Sequence, residues 1–275
     1  MAFSVNTNAG AFIALQNLNK TNTAMDKTQN AINTGMKVST AKDNAAIFAI
    51  AQNLRSNVSG LNAVKQSIDR ALGAADVAMA AGQAVSDLLI EMKEKAVAAA
   101  DKGQDSASRT ALNDDFVQLR DQITSIVNNA EFNGLNAVKS GGDDIVAILD
   151  DTASSTLTIG AQDLSLGGTV VKLTASSGIG TQSTALAVVT NLEDSLKNVN
   201  ASLSKLGSGA KRLELQKSFV TKLSDTIETG IGNLVDADLA KESAKLQSLQ
   251  VKQQLGMQAL SIANQQPSAV MRLFQ

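Results

Sequence analysis

The stretch LNAVKQSIDRALGAADVAMAAGQAVSDLLIEMKEKAVAA at residues 61–99 carries apolar or glycine residues at two positions of every seven. One position is held by Leu61, Ile68, Ala75, Gly82, Leu89 and Ala96, and the position three residues later by Val64, Ala71, Ala78, Val85, Met92 and Ala99. This spacing keeps the side chains on one face of an α-helix. The stretch therefore predicts a long helix that packs against helical partners, closely where its residues are small.

Two further apolar stripes supply partners for this helix. The longer one recurs at sevens through Leu192, Val199, Leu206, Leu213, Val220, Ile227 and Leu234. The shorter one contains Leu112, Phe116, Leu119, Ile123 and Ile126, and the polar segment 101–108 before it has the composition of a turn. Because such stripes are usually buried locally, we expect a helical rod of about three antiparallel segments.

The middle of the chain has a different composition. Residues 131–184 are rich in Gly, Ser and Thr, with short β-branched runs at 145–149, 156–159 and 169–173. Runs of this kind between glycine and aspartate pairs predict a few short strands or hairpins. In the segment GSGAKR at 207–212, two glycines interrupt the second long stripe, which predicts a flexible turn or an irregular helix. The fold class is therefore mainly α, a long antiparallel helical bundle or coiled-coil rod with a small β-hairpin region.

Composition excludes most chemistry. The chain has no Cys and no His, so thiolate nucleophiles, imidazole bases and the usual zinc ligands are missing. We therefore expect no enzyme activity, no metal and no cofactor. Lys and Arg total 24 against 26 for Asp and Glu, a balance that does not favour nucleic acid or anionic membranes. The apolar run at 45–51 is far shorter than the roughly 20 residues of a membrane span.

The C-terminal segment has apolar residues on two sides. At 100° per residue, one sector holds Leu239, Leu246, Leu249, Met257 and Leu260. A second sector, centred roughly 140° from Leu239 by the same geometry, holds Ala244, Val251, Leu255, Ile262, Ala269 and Leu273. An N-terminal stripe offers a partner for one sector through Leu15, Leu18, Met25 and Ile32. One sector is left over.

A leftover stripe is costly in water. Exposing about six large aliphatic groups forgoes on the order of 10 kcal/mol. We therefore expect the second stripe to contact neighbouring copies of the chain, with termini that become ordered on assembly. An identical surface used head-to-tail produces an open helical polymer. The alternative is a helix buried in the middle of a monomeric bundle.

Four segments resemble a known family. They are NTNAGAFIALQNL at 6–18, AINTGMKVSTAKDNAAIFAIAQNLRS at 31–56, FNG at 132–134 and DADLAKESAKLQSLQVKQQLGMQALSIANQQPSAVMRLF at 236–274. They are similar to the ends of bacterial flagellins, over roughly residues 1–135 and 185–275, and most of all to the short alphaproteobacterial type.

The resemblance implies a structural subunit that polymerises into the extracellular flagellar filament, the propeller of a swimming bacterium. It implies type III export and, as partners, other copies of the chain or other flagellins, the export apparatus, an export chaperone, the filament cap and the hook–filament junction proteins. It implies paired terminal helices at 1–38 and 233–275 in the inner core of the filament. The helical rod would comprise 45–130 and 185–232, with 131–184 as a β-hairpin and vestigial outer region.

The resemblance also implies site residues. The family uses the turn and helix start after the first helix for contacts between subunits, and the matching residues are Lys42, Asp43, Asn44 and Arg55. A purely local role for Asp43 and Asn44 as helix caps is an equal alternative. O-glycosylation, common in the family, has candidate sites at Ser154, Ser155, Thr156, Ser176, Ser177, Thr181, Ser183 and Thr184. Ordinary loop polarity explains these residues equally well.

Two other classes compete with a filament subunit. A hook–filament junction adaptor shares related termini but differs more at both ends. A secreted adhesin or immune-modulating module would need a large outer domain, for which residues 131–184 leave little room.

Overall fold

The computed structural model of the chain describes residues 7–271, with side chains through residue 265. Within that range it is mainly α-helical with one small sheet, the predicted fold class. The elements are α1 (Ala9–Thr34), α2 (Ala45–Ala99), α3 (Ser106–Asn129), β1 (Ile145–Ile148), β2 (Thr156–Ile159), α4 (Gln182–Val235) and α5 (Leu239–Met271). The chain divides into two compact units, Asn57–Asp225 and a unit containing Met1–Ser56 and Thr226–Gln275.

The core of the unit Asn57–Asp225 lies between α2 and α4. The predicted stripes face inward, and the buried residues include Ile68, Val85, Leu89, Val199, Leu206 and Leu213. Two ion pairs give the direction of packing: the Lys217 ammonium lies 2.6 Å from Asp69, and the Lys93 ammonium lies 2.9 Å from Glu193. The two helices are therefore antiparallel, because residues late in α2 meet residues early in α4.

Small residues bring these helices close together. At Gly82, a Cβ atom would lie 2.8 Å from Cδ2 of Leu203 on α4. Real Cβ atoms do not approach other atoms this closely. Leu203 therefore fills the space that a larger residue at position 82 would need. The small centre of the first stripe thus has the close approach that its composition predicts.

α3 returns along α2 after a short turn. Asp105 caps its first turn by accepting a hydrogen bond from the Ser108 amide at 2.7 Å. The guanidinium of Arg109 donates to the Ala99 carbonyl at 2.8 Å, where α2 ends and leaves carbonyls without helical donors. Phe116, Ile123 and Val127 are buried along the inner face of α3. The predicted third segment and its turn are therefore present.

The middle of the chain forms one two-stranded antiparallel sheet. Its register pairs Ile145 with Ile159 and Ala147 with Leu157, and these four side chains are buried. Successive side chains of a strand point to opposite faces of the sheet, so Val146 and Thr158 point outward. Two of the three predicted strand runs are confirmed by β1 and β2.

The third run, 169–173, does not form a strand. Its backbone is satisfied in another way: the Lys172 amide donates to the Ser195 hydroxyl of α4 at 2.9 Å, and the Gly167 amide donates to the Leu173 carbonyl at 2.6 Å. Val171 and Leu173 are still fully buried. Its β-branched residues therefore mark a buried segment rather than a ladder.

The glycines at 207 and 209 do not interrupt α4, which continues through both. The expectation of a flexible turn or irregular helix at this point is wrong. Gly209 is needed for contact, because a Cβ there would lie 2.7 Å from Cδ1 of Ile159 in β2. The hairpin packs on α4 at a point where the helix has no side chain.

Candidate subunit-contact surface

The unit that contains the chain ends is built on α1 and α5, here called the terminal helix pair. α1 begins after Asn8, whose side chain accepts a hydrogen bond from the Ala11 amide at 3.0 Å, and it ends at Gly35, which has a left-handed φ of 70°. α5 begins after Asp238, which accepts from the Ala240 amide at 3.0 Å. α1 therefore starts and stops at sequence-encoded caps, and α5 starts at one.

One side of α5 packs against α1. Leu249 is buried, and Leu246 and Leu260 are half-buried on the same side. The Gln253 amide donates to the Asn22 side chain at 2.8 Å, and a Cβ on Gly256 would lie 3.3 Å from Leu18. The facing side of α1 has half-buried positions at Leu18, Met25 and Ile32. These contacts fix which stripe of α5 belongs to the subunit itself.

The other stripe of α5 is exposed. Val251 is 56% exposed, Leu255 58% and Ile262 66%, and we call these three residues the outer stripe. Ala244 is also exposed. Leu273 belongs to the predicted contact set and lies outside the described residues. A helix with one apolar side packed and another open is the arrangement that the sequence predicts for residues 239–265.

Some residues of the first sector are not buried. Leu239 and Met257 are exposed, although the helical wheel groups them with Leu249. On α1, Leu15 is exposed, as are Phe12 and Ile13, which are not among the predicted contact residues. The sequence carries a signal for Phe12 and Ile13, since both are large apolar residues outside the heptad stripe of α1, whereas Leu15 belongs to that stripe and is exposed all the same. The open apolar surface of the terminal helix pair is therefore wider than the outer stripe alone.

The turn between α1 and α2 is organised by Asp43. Its Oδ2 accepts hydrogen bonds from the amides of Ser39 at 3.3 Å and Thr40 at 3.1 Å and from both hydroxyls. Its Oδ1 lies 3.8 Å from the ammonium of Lys27. The hydrogen bond from the Thr40 amide is the main cause that lowers the pKa of Asp43 below its ordinary value. Asp43 thus has a complete set of partners within its own subunit.

The neighbours of Asp43 divide into a cap and two exposed cations. Asn44 caps α2 by accepting from the Ile47 amide at 3.1 Å. Lys42 is exposed, and the exposed Arg55 directs one guanidinium nitrogen to the sulfur of Met36 at 3.8 Å. The cap role that the sequence allowed is therefore observed for Asn44, whereas Asp43 caps no helix and instead holds the turn through Ser39 and Thr40. Lys42 and Arg55 are exposed to solvent.

The candidate glycosylation residues lie in the loops of the unit Asn57–Asp225, at the start of β2 and in the first turn of α4. Ser177 is half-buried with its carbonyl accepting from Arg120, and the other candidates are exposed: Ser154, Ser155, Thr156, Ser176, Thr181, Ser183 and Thr184. Ser154 donates to Asp150, so its hydroxyl has an internal partner. Exposure makes these residues accessible without indicating a modification.

Among residues 7–271 no cluster of His, Cys, Asp and Glu is arranged to hold a metal ion. No helix in this range is both long and apolar enough to cross a bilayer.

Two family models match the chain. The model for the bacterial flagellin N-terminal helical region matches residues 5–139, and the model for the C-terminal helical region matches residues 189–274. The chain belongs to the bacterial flagellin family. This flagellin is therefore a structural subunit of the extracellular flagellar filament, and its family is not one of enzymes.

Relatives of this flagellin occur among the alphaproteobacteria. Flagellin FljM of Caulobacter vibrioides is 48% identical over 271 residues, covering 98% of each chain. A flagellin of Brucella melitensis is 34% identical over 281 residues, covering 98% of this chain and 99% of its own.

Two solved structures share the fold of this flagellin. A Bacillus cereus flagellin matches with a TM-score of 0.50 and 24% identity, over 56% of this chain and 88% of its own. A protein described as a flagellar hook-associated protein from Vibrio parahaemolyticus matches with a TM-score of 0.59 and 13% identity, over 70% of this chain and 100% of its own. At these identities the likeness concerns the fold alone, and nothing in it favours the junction-adaptor alternative.

Proposed function

We propose that this flagellin polymerises head-to-tail through the open apolar surface of its terminal helix pair. The observation that carries the proposal is the outer stripe of Val251, Leu255 and Ile262, exposed on α5 while the other side of the helix packs on α1. Contiguous exposed apolar side chains mark a surface that is buried in an assembly. Leu15 and Leu239 extend this open surface. The buried or half-buried contact residues would position it within the subunit: Leu18, Met25, Ile32, Leu246, Leu249 and Leu260.

The turn before α2 is a second proposed contact. Asp43 fixes the backbone of this turn through Ser39 and Thr40, and Lys42 and Arg55 stay exposed beside it. Exposed cations favour carboxylates on a neighbouring copy, and such charge pairs help to set the register of association. The predicted boundaries of the inner core, at residues 38 and 233, belong to this proposal because they concern the assembled filament.

The other partners and the modification rest on the family. We propose that the chain is exported by the type III apparatus with the help of an export chaperone. Its termini would then contact the filament cap and the hook–filament junction proteins. O-glycosylation is proposed for the exposed Ser and Thr residues of 154–184. An intact mass of 28.5 kDa for protein taken from native filaments would reject the modification.

The test compares substitutions on the two sides of α5. Leu255→Gln replaces an exposed apolar side chain with one of similar helix propensity. We expect the critical concentration for polymerisation to rise about tenfold, since burying the exposed part of a leucine is worth about 1–1.5 kcal/mol. Gln254→Ala, one residue away and also exposed, is the matched control and should assemble normally.

Truncation before residue 239 extends the test. The unit Asn57–Asp225 should remain helical by circular dichroism, and electron microscopy should show no filaments. Filaments formed by the truncated chain, or an unchanged critical concentration for Leu255→Gln, would contradict the proposal.

A further inference from the structure

The lone proline of the chain, Pro267, leaves the carbonyl of Ala263 in α5 without its helical hydrogen-bond donor. The helix continues through position 267 to Met271. In an α-helix the carbonyl of Ala263 accepts from the backbone N–H four residues later, and that residue is Pro267, which has no N–H. A carbonyl in this position needs a donor from elsewhere.

The donor comes from the start of α1. The side-chain amide nitrogen of Asn8 donates to the Ala263 carbonyl at 2.6 Å. The oxygen of the same side chain accepts from the Ala11 amide and caps α1. Asn8 therefore uses one end of its amide for its own helix and the other for the carbonyl that Pro267 leaves without its helical donor.

We infer that Asn8 and Pro267 together set the register of the terminal helix pair. Most facing positions of α1 are small or polar, among them Ala11, Ala14, Thr21 and Thr28. Such a face packs with similar contacts after a slip of one helical turn, about 5.4 Å. Polar pairs select one register, because every other alignment leaves the donor or the acceptor without a partner.

A second polar contact lies about four helical turns further along α1. There the side chain of Gln253 donates to that of Asn22. This contact joins two side chains and does not depend on a missing backbone donor. It holds the same register by a different mechanism, which makes it the natural control.

The register matters because the open surface is shared by both helices. Phe12, Ile13 and Leu15 lie on α1, and Leu255 and Ile262 lie on α5. A slip of one turn displaces the first group relative to the second and alters the surface offered to a neighbouring copy. This consequence rests on the proposed function, whereas the hydrogen-bond coupling can be measured separately.

The experiment is a double-mutant cycle read by hydrogen exchange. Asn8→Ser keeps a good helix cap but is too short to reach α5. Pro267→Ala restores the backbone N–H for Ala263. In assembled filaments, Asn8→Ser should accelerate exchange of residues 255–265 roughly five- to tenfold with Pro267 present, the factor expected for one hydrogen bond. In the Pro267→Ala background the acceleration should be about threefold or less, because the restored N–H supplies the donor.

The control is Gln253→Met, which removes the other donor without adding charge and should accelerate exchange equally with Pro267 present and in the Pro267→Ala background. An equal effect of Asn8→Ser in both backgrounds would overturn the inference. If Asn8→Ser prevents assembly, Pro267→Ala must restore it, and failure in both backgrounds also overturns the inference. Normal assembly of the Leu255→Gln variant would reject the proposed contact surface and leave the result of the cycle intact.

Discussion

Gly209→Ala adds one methyl group where α4 meets the β-hairpin. The new Cβ would lie 2.7 Å from Cδ1, 2.8 Å from Cγ1 and 3.0 Å from Cγ2 of Ile159. Both residues are buried, and the overlapping atoms belong to a stiff β-branched side chain in β2. Relief therefore requires movement of the strand or a poor rotamer of Ile159.

The magnitude follows from two opposing effects. Alanine is about 1 kcal/mol better than glycine inside a helix. An added methyl group in a well-packed core costs about 1–3 kcal/mol. Gly207→Ala separates them, because it lies in the same helix and its Cβ would meet only Met79, with the sulfur at 3.9 Å. We expect Gly207→Ala to stabilise by about 1 kcal/mol and Gly209→Ala to be about 1–3 kcal/mol less stable than that variant.

Urea unfolding followed by far-UV circular dichroism measures the free energy of unfolding of both variants, provided the slope of that free energy against urea concentration is unchanged. Adding Ile159→Val to Gly209→Ala removes the nearest overlapping atom and should recover part of the loss. A Gly209→Ala protein as stable as the Gly207→Ala protein would refute the view that this glycine exists for contact with the hairpin.

Three further changes test other parts of the chain. Thr28→Val should raise the free energy of unfolding of the terminal helix pair by about 1 kcal/mol in thermal melts, because the buried Thr28 hydroxyl has no hydrogen-bond partner among the described residues. Asn136→Ala should lower the stability of the unit Asn57–Asp225 by about 2–3 kcal/mol in urea, because it removes the donor to the Val127 carbonyl and the acceptor for two amides. The folded-state pKa of Asp43 is lowered, so its stabilisation is complete above the unfolded-state pKa of about 4 and is lost as pH falls through the lower folded value. The Thr40 amide shift should report this loss by NMR below about pH 4, and Asp43→Asn should abolish the titration.

The long helices were predictable because their signal is local and repeated. Apolar residues that recur every three or four positions lie on one face of a helix. The stripe through Ile68 and Leu89 therefore predicts the buried face of α2, and the stripe through Leu206 and Leu213 predicts that of α4. Both stripes are buried in the structure. No distant contact was needed to reach the mainly α fold.

The details that failed depend on distant partners. The glycines at 207 and 209 predict an irregular helix. The prediction fails because sequence alone does not reveal that Ile159 occupies the space where a side chain at 209 would lie. The run at 169–173 has the composition of a strand, yet Ser195 of α4 satisfies the Lys172 amide. β-branched composition predicts that a segment is buried, but it forms a strand only where a neighbouring strand pairs with its backbone.

The candidate surface shows the same division. The two-sided pattern of α5 was visible in the sequence, but the side that packs on α1 depends on Gln253 and Gly256, which are not apolar side chains. A helical wheel that counts large aliphatic residues gives these two positions no weight. It therefore groups Leu239 and Met257 with the packed side, where the structure exposes them.

The terminal helix pair has little core of its own. Its buried side chains among the described residues of α1 and α5 are Thr28, Ala31 and Leu249, whereas the other unit buries Ile68, Leu89 and Phe116 completely. Two paired helices with so few large buried groups gain little free energy from their own packing. Under the proposed function, additional stability comes from burial of the open surface against neighbouring copies. A polar outer stripe would improve the solubility of the free subunit. Under the proposed function it would also remove the free energy that orders the pair on assembly, which is why we propose that the polymer requires the exposed leucine and isoleucine.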